Sequence, residues 1–217
     1  IEVLAKHAEG LTLRAHEGIH VKYVLVRRDF PNPPMMGTFT KSFDQILNDP
    51  EVKIVVEVMG GLAPAYDYVR RCLLAGKSVV TSNKELVAAK GADLLQIAKD
   101  KNVNFLFEAS VGGGIPIIRP MSQCLAANDV VGVAGILNGT TNYILTKMFR
   151  DGADFKNALA EAQRLGYAER DPSADVEGAD ACRKICILAS LAYGKHVYPK
   201  QVHTEGITQI ALADVEY

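Results

Sequence analysis

Val52-Lys-Ile-Val-Val-Glu-Val-Met-Gly-Gly61 is a short β-branched run closed by two glycines. A run of this length, apolar at most positions and ended by turn residues, predicts a buried strand over residues 52–58. Helical periodicity follows over residues 64–75 and stops at Gly76. Residues 78–81 predict a second strand, residues 85–100 a long helix and residues 104–108 a third strand. Strands separated by helices of this length imply right-handed crossovers and a parallel sheet covered on both faces. Upstream, residues 20–27 alternate and are rich in β-branched and aromatic side chains, which predicts a strand running into Arg27, Arg28, Asp29 and a Pro-rich loop. Residues 42–47 suggest a short helix. The chain is therefore read as α/β, with a doubly wound parallel sheet over residues 1–116.

Beyond Gly112-Gly-Gly114 the pattern changes. A helix is expected at 117–127, a strand at 130–137, and helices at 142–150, 155–165 and 177–193, with a domain boundary within 115–128. The second part, residues 117–217, is read as α+β. Residues 1–7 already carry helical periodicity, with Ile1, Leu4 and Ala5 on one face. The G-x-G-x-x-G loop that brings backbone amides to a pyrophosphate is absent. A helix and then a strand should follow such a loop, so the first strand and the loop are expected immediately before Ile1, and the chain is read as a fragment.

Composition narrows the function classes. With 24 basic and 25 acidic side chains mixed along 217 residues, formal charge is −1, so no field of one sign recruits nucleic acid or an anionic membrane. Small-molecule ligands are favoured. No apolar run reaches the roughly 18 residues needed to span a bilayer. Cys72, Cys124, Cys182 and Cys186 lie among apolar neighbours and show neither zinc spacing nor the density of a disulfide scaffold, so a reduced cytoplasm is expected. The five histidines form no metal-spaced set.

Ligands of a doubly wound sheet bind at the carboxyl ends of its strands. Four such ends carry suggestive groups: Arg27 and Arg28, Gly60 and Gly61, Asn83 and Lys84, and Glu108. Arg27 and Arg28 suit a ribose phosphate and Asp29 a ribose hydroxyl, or all three are solvated strand-end charges. Gly112 to Gly114 allow tight turns with carbonyls free to face a cation.

The densest polar cluster runs from Gly166 to Lys184, and Asp175 is placed to cap the helix after it. Asp180 and Lys184, spaced i and i+4, share a helix face continued by Ile187 and Leu191. A carboxylate and an ammonium on a buried helix need partners. Either they form an internal ion pair that fixes packing, or they line a cleft where Lys184 exchanges a proton and Glu169, Asp175 and Asp180 hold a substrate ammonium. Asn138-Gly-Thr-Thr-Asn-Tyr143 opens a helix, where its amides and hydroxyls either meet a carboxylate or simply cap.

These residues resemble the homoserine dehydrogenase family, of the monofunctional type. Ala162, Gly166, Asp171-Pro172, Asp175, Gly178, Asp180 and Lys184 fall at that family's signature spacing. Asn83-Lys84, Glu108-Ala-Ser-Val-Gly-Gly-Gly-Ile-Pro116 and Gly135-Ile-Leu-Asn-Gly-Thr-Thr-Asn-Tyr-Ile-Leu145 support it, in order along the chain. The resemblance implies a partial Rossmann-like domain followed by a catalytic and dimerisation domain. It also implies NAD(P)-dependent interconversion of L-homoserine and L-aspartate 4-semialdehyde, toward threonine, methionine and isoleucine. On that pattern Lys184 is the acid/base lysine and Lys84 a second lysine near nicotinamide and substrate. Thr140, Tyr167, Glu169, Asp175 and Asp180 match substrate positions, while Arg27, Arg28, Gly60 and Lys84 are the cofactor-binding candidates. Glu108, Val111, Gly113 and Ile115 match a site for a monovalent cation, Na⁺ or K⁺. A homodimer or higher homo-oligomer is implied, and the segment that folds back onto the nucleotide domain is expected beyond Tyr217. The rival readings are a related amino-acid or semialdehyde dehydrogenase, and a noncatalytic ligand-binding or oligomerisation fragment.

Overall fold

The computed structural model describes residues 1–29 and 39–215. Two short helices, α1 (Glu2–Lys6) and α2 (Ala8–Ala15), open the chain and bury no residue of their own. The strand expected at 20–27 is reduced to β1 (Val24–Leu25), which pairs in parallel with β2 (Phe39–Thr40), an element that the sequence pattern does not reveal. The expected Pro-rich loop between them lies mostly outside the described residues. Helix α3 (Phe43–Asn48) then begins at Ser42, whose hydroxyl caps the amide of Gln45.

The centre of the first part is the expected alternation: β3 (Ile54–Glu57), α4 (Ala65–Leu74), β4 (Ser78–Thr81), α5 (Lys84–Asp100) and β5 (Phe105–Leu106). The strands form a parallel sheet in the order β3-β4-β5, with Glu57 opposite Thr81 and Val79 opposite Phe105. One face is dry. Val79, Phe105 and Phe107 pack in one core with Val69, Cys72 and Leu73 of α4 and Leu86, Val87 and Leu94 of α5. Leu73, Leu86 and Leu94 are fully buried, each worth about 1.5–3 kcal/mol relative to exposure.

The other face departs from expectation. Residues 52–58 read as buried on both sides, yet Ile54 is 54% and Val56 60% exposed, with Leu106 beside them at 55%. The alternation of a strand sends Val55 and Glu57 inward and Ile54 and Val56 outward, and among the described residues no helix covers that outward face.

After β5 the chain makes a 3₁₀ turn, Glu108–Ser110. The helix expected at 117–127 is only a short stretch ending in a π turn, Pro120–Cys124, where the Leu125 amide bonds the Pro120 carbonyl. No strand forms at 130–137 among the described residues. The alternating side chains are there, but nothing pairs with the segment, and Val131 stands 97% and Ile136 77% exposed. The second part is thus helical here: α6 (Gly139–Asp151), α7 (Phe155–Arg164), α8 (Ser173–Val176) and α9 (Ala179–Tyr193). A small core joins Ile144 and Met148 of α6 to Ala158 and Ala162 of α7 and Val176 of α8, while Ile187 and Leu188 of α9 enter the core of the sheet.

The helix expected at 177–193 forms as α9 but starts only at Ala179, because Gly178 adopts φ 85° and separates it from α8. A side chain there would be strained, and its Cβ would lie 2.6 Å from the Glu205 carbonyl oxygen. The crossing is held by Ile207, whose amide bonds the Val176 carbonyl at 2.8 Å. We expect Gly178→Ala to cost about 1–3 kcal/mol for the backbone conformation alone, with the close contact adding to it. Urea unfolding of the variant checks this, and an unchanged midpoint and slope would refute it.

Candidate active site

Lys84 is the first residue of α5, placed there by Asn83, whose side-chain oxygen caps the Leu86 amide at 3.1 Å. The Asn83 amide group donates to the Gly61 carbonyl at 2.6 Å, and its backbone N–H donates to the Thr81 hydroxyl at 2.9 Å. That hydroxyl donates in turn to buried Glu57 at 2.6 Å, and Glu57 also accepts the Met59 amide. A buried polar chain thus fixes the carboxyl ends of β3 and β4, and with them the first turn of α5.

The Lys84 ammonium reaches Oδ1 of Asp180 at 2.7 Å. Lys184 holds Oδ2 of the same carboxylate at 2.7 Å, the i, i+4 pair read from the sequence, and donates to the Leu137 carbonyl at 2.8 Å. Asn138 adds a third donor to Asp180 at 2.9 Å. Asp180 is only 2% exposed. Burial works to raise its pKa, but hydrogen bonds from Lys184, Lys84 and Asn138 outweigh it and hold the carboxyl below its ordinary value.

Around this carboxylate opens a cleft of about 520 Å³, within the range of roughly 300–1,000 Å³ usual for small-molecule sites. Of the residues expected from the sequence, Lys84, Lys184, Thr140, Tyr167, Asp175 and Asp180 line it together. Thr140 donates its hydroxyl to the Tyr167 carbonyl at 2.7 Å, tying α6 to the loop before α8. Asp175 does not cap the following helix as expected. It sits within α8 and accepts from Asn138 at 2.6 Å, because Gly178 rather than a side chain begins α9. Glu169 lies on the exposed loop beyond Tyr167 and does not line the cleft.

Asn138, Gly139 and Tyr143 line it too; the sequence marks their segment as a helix opening that could meet a carboxylate, but of its residues only Thr140 is assigned a site role. Tyr143 packs against Tyr167 with ring centroids 4.9 Å apart, a contact that local spacing does not reveal. The signal for Asn138 was its place before a helix, which capping alone explains.

The remaining candidates lie elsewhere. Arg27 and Arg28 are exposed just past β1, beside an ion pair between Asp29 and Lys41. Gly60 and Gly61 follow β3 with φ 74° and 70° and open space where a Cβ would be. At Glu108, one carboxylate oxygen accepts the amides of Ile117 and Ile118, and the other accepts that of Arg119. Burial opposes ionisation there, but the three amides prevail and lower the pKa. Val111, Gly113 and Ile115 surround the turn that follows, where Gly112 and Gly113 take φ 78° and 58°. Burial pushes the Cys186 thiol up to about 12 and that of Cys72 to about 11, so neither supplies a thiolate near neutrality. No helix among the described residues is long and apolar enough to cross a membrane.

Two family models match the chain: homoserine dehydrogenase over residues 116–217, and the homoserine dehydrogenase NAD binding domain over residues 4–108. The chain belongs to the homoserine dehydrogenase family. A homoserine dehydrogenase of Synechocystis sp. is 46% identical over 93% of this chain and 47% of its own length. One from Pseudomonas aeruginosa is 43% identical over 99% of this chain and 50% of its own. Among solved structures, a homoserine dehydrogenase from Thiobacillus denitrificans superposes with TM-score 0.91 at 43% identity, covering all of this chain and 51% of that one. A hyperthermophilic archaeal homoserine dehydrogenase in complex with NADPH matches at TM-score 0.70 and 32% identity, over 78% of this chain and 52% of that one. The chain spans about half the length of the curated relatives it matches. Membership confirms the α/β reading, a Rossmann-like nucleotide-binding part followed by a catalytic part.

The Asp180 cluster has a pH signature. A carboxyl whose pKa is lowered by folding adds stability above its unfolded value, near 3.9, and loses it as pH falls through the folded value. Melting temperatures measured from pH 7 to 3 are expected to fall below about pH 4 in the parent, and to fall less steeply in Asp180→Asn. Parallel curves would mean that folding does not lower the Asp180 pKa.

Proposed function

We propose that this chain carries the catalytic centre of an NAD(P)-dependent oxidoreductase that interconverts L-homoserine and L-aspartate 4-semialdehyde. The observation that carries this reading is the pair of lysines gripping opposite oxygens of one buried carboxylate at the wall of a cleft. Asp180 is already occupied by Lys84, Lys184 and Asn138, so its task is to aim the lysines. The substrate ammonium then falls to Asp175, while Glu169, outside the cleft, is left without a substrate contact in this reading. The first amides of α6, at Gly139 and Thr140, face the cleft end that suits the substrate carboxylate, and Tyr167 and Tyr143 wall the side chain. Lys184 delivers a proton to the substrate oxygen as an alcohol forms and removes it in the reverse direction.

The cofactor supplies the hydride. The carboxyl ends of β3 and β4 fit a nicotinamide nucleotide: Gly60 and Gly61 leave room for close approach, and Lys84 stands between that edge and the cleft. Arg27 and Arg28 suit the phosphate of NADP, which we favour alongside NAD. For a monovalent cation the donors would be carbonyls of Val111, Gly113 and Ile115 with Glu108, an all-oxygen set suited to a hard ion. Residues 1–116 form the nucleotide-binding domain in this reading, and residues 117–217 the catalytic and dimerisation domain. The setting is cytoplasmic synthesis of threonine, methionine and isoleucine. A homodimer is supported by residues 130–137, which present Val131 and Ile136 outward with no strand beside them.

In the full natural polypeptide carrying these residues, nicotinamide absorbance should report turnover of L-homoserine and of the semialdehyde. Lys184→Ala should lower kcat by about 10²–10⁴-fold, and unchanged turnover would remove its role in proton transfer. Activity on another amino alcohol, with none on homoserine, would replace the substrate. Light scattering of Val131→Lys tests the dimer: a halved mass is expected, and the parent mass would refute the proposed edge.

A further inference from the structure

Asn138 is 6% exposed at the start of α6, and capping uses only half of its side chain. Its Oδ1 accepts the Thr141 amide at 2.8 Å. Serine, threonine or aspartate would cap as well, but none has a nitrogen to offer. The Asn138 Nδ2 has two hydrogens, and both are spent on carboxylates: Asp175 at 2.6 Å and Asp180 at 2.9 Å. One neutral nitrogen thus bridges two acidic side chains from different helices, α8 and α9, whose like charges would otherwise part them. The preceding residue completes the arrangement, since the Leu137 carbonyl holds the Lys184 ammonium at 2.8 Å.

The geometry points to Asn138 as a positioning residue of the reaction assigned above, one that sets the distance between Asp175, facing the substrate ammonium, and Asp180, aiming the lysines. The inference rests on that functional reading and goes beyond it. From the N-cap of α6 its single side chain serves a helix end and both carboxylates.

Asn138→Ser separates the two tasks, because it keeps a capping oxygen and removes both nitrogen-bound hydrogens. In the full polypeptide, kcat/KM for the amino-acid substrate should fall by about 10–100-fold, with a higher KM for that substrate and a lower kcat. KM for the nicotinamide cofactor should stay near the parental value, while the melting temperature falls with the lost donor to buried Asp180. Asn138→Asp keeps the cap but sets a third carboxylate beside the other two, and should lose more. Parental kinetics in Asn138→Ser would overturn the inference, as would equal rises in both KM values, which would mark general damage.

A second readout needs no turnover. Donation of a hydrogen bond to a carboxylate favours its ionised form, so the carboxyl ¹³C titration of Asp180 should move upward in pH in Asn138→Ser. The charged and titratable groups facing this bridge are Lys84 of α5, Lys184 of α9, Tyr143 of α6 and Tyr167, and all are unchanged in the variant. Superimposable titrations would overturn the inference. An inactive parent whose titration still shifts on substitution would instead overturn the assigned reaction and leave the bridge in place.

Discussion

A carboxylate taken out of water must be fully matched, and Asp180 is the place where this chain meets that demand. Three donors reach its two oxygens, from the start of α5, from one turn further along α9 and from the cap of α6. Removing one partner of such a group leaves a buried charge uncompensated, a loss of about 3–5 kcal/mol where burial is complete. The three helix ends therefore cannot drift apart independently. Apolar packing reinforces them, since Ile187 and Leu188 of α9 share a core with Leu86 and Leu94 of α5. The site sits at the polar end of that seam.

Legibility in the sequence followed the range of the forces involved. The β3 to β5 unit was readable because each element announces itself locally, by a β-branched run, by a helix-long period, or by a cap such as Asn83. Asp180 and Lys184 were readable together because four residues of helix bring them to one face. Lys84 was readable only as a strand-end group that could face a ligand: nothing in its neighbourhood says that it will meet Asp180, and the family resemblance alone put it near the substrate. The break at Gly178 was hidden for another reason, since it depends on residues 204–207 crossing over it. The pattern at residues 130–137 suggested a strand and none forms among the described residues, because a strand exists only when a neighbour supplies the ladder. The bridging of Asp175 to Asp180 was out of reach, because capping already accounted for Asn138.

The uncovered apolar face of the sheet and the exposed Val131 and Ile136 belong to the same consideration. Side chains such as Ile54, Val56 and Leu106 are chosen for burial, and their exposure marks where these described residues stop being sufficient to satisfy their own sequence. The cleft is different in kind. Its charged groups are matched internally, and no buried side-chain polar atom among the described residues lacks a hydrogen-bond partner.

Glu108 has a mechanical consequence. By gripping the amides of Ile117, Ile118 and Arg119 directly, its carboxylate closes the intervening glycine-rich segment into a ring hung from a fixed base. Displacement arriving along β5 passes through that grip into the π turn without travelling round the ring. The ring can then change its shape while the lysines across the molecule keep their places. The shape of the segment is decoupled from transmission by a single geometry, one acid facing three consecutive amides.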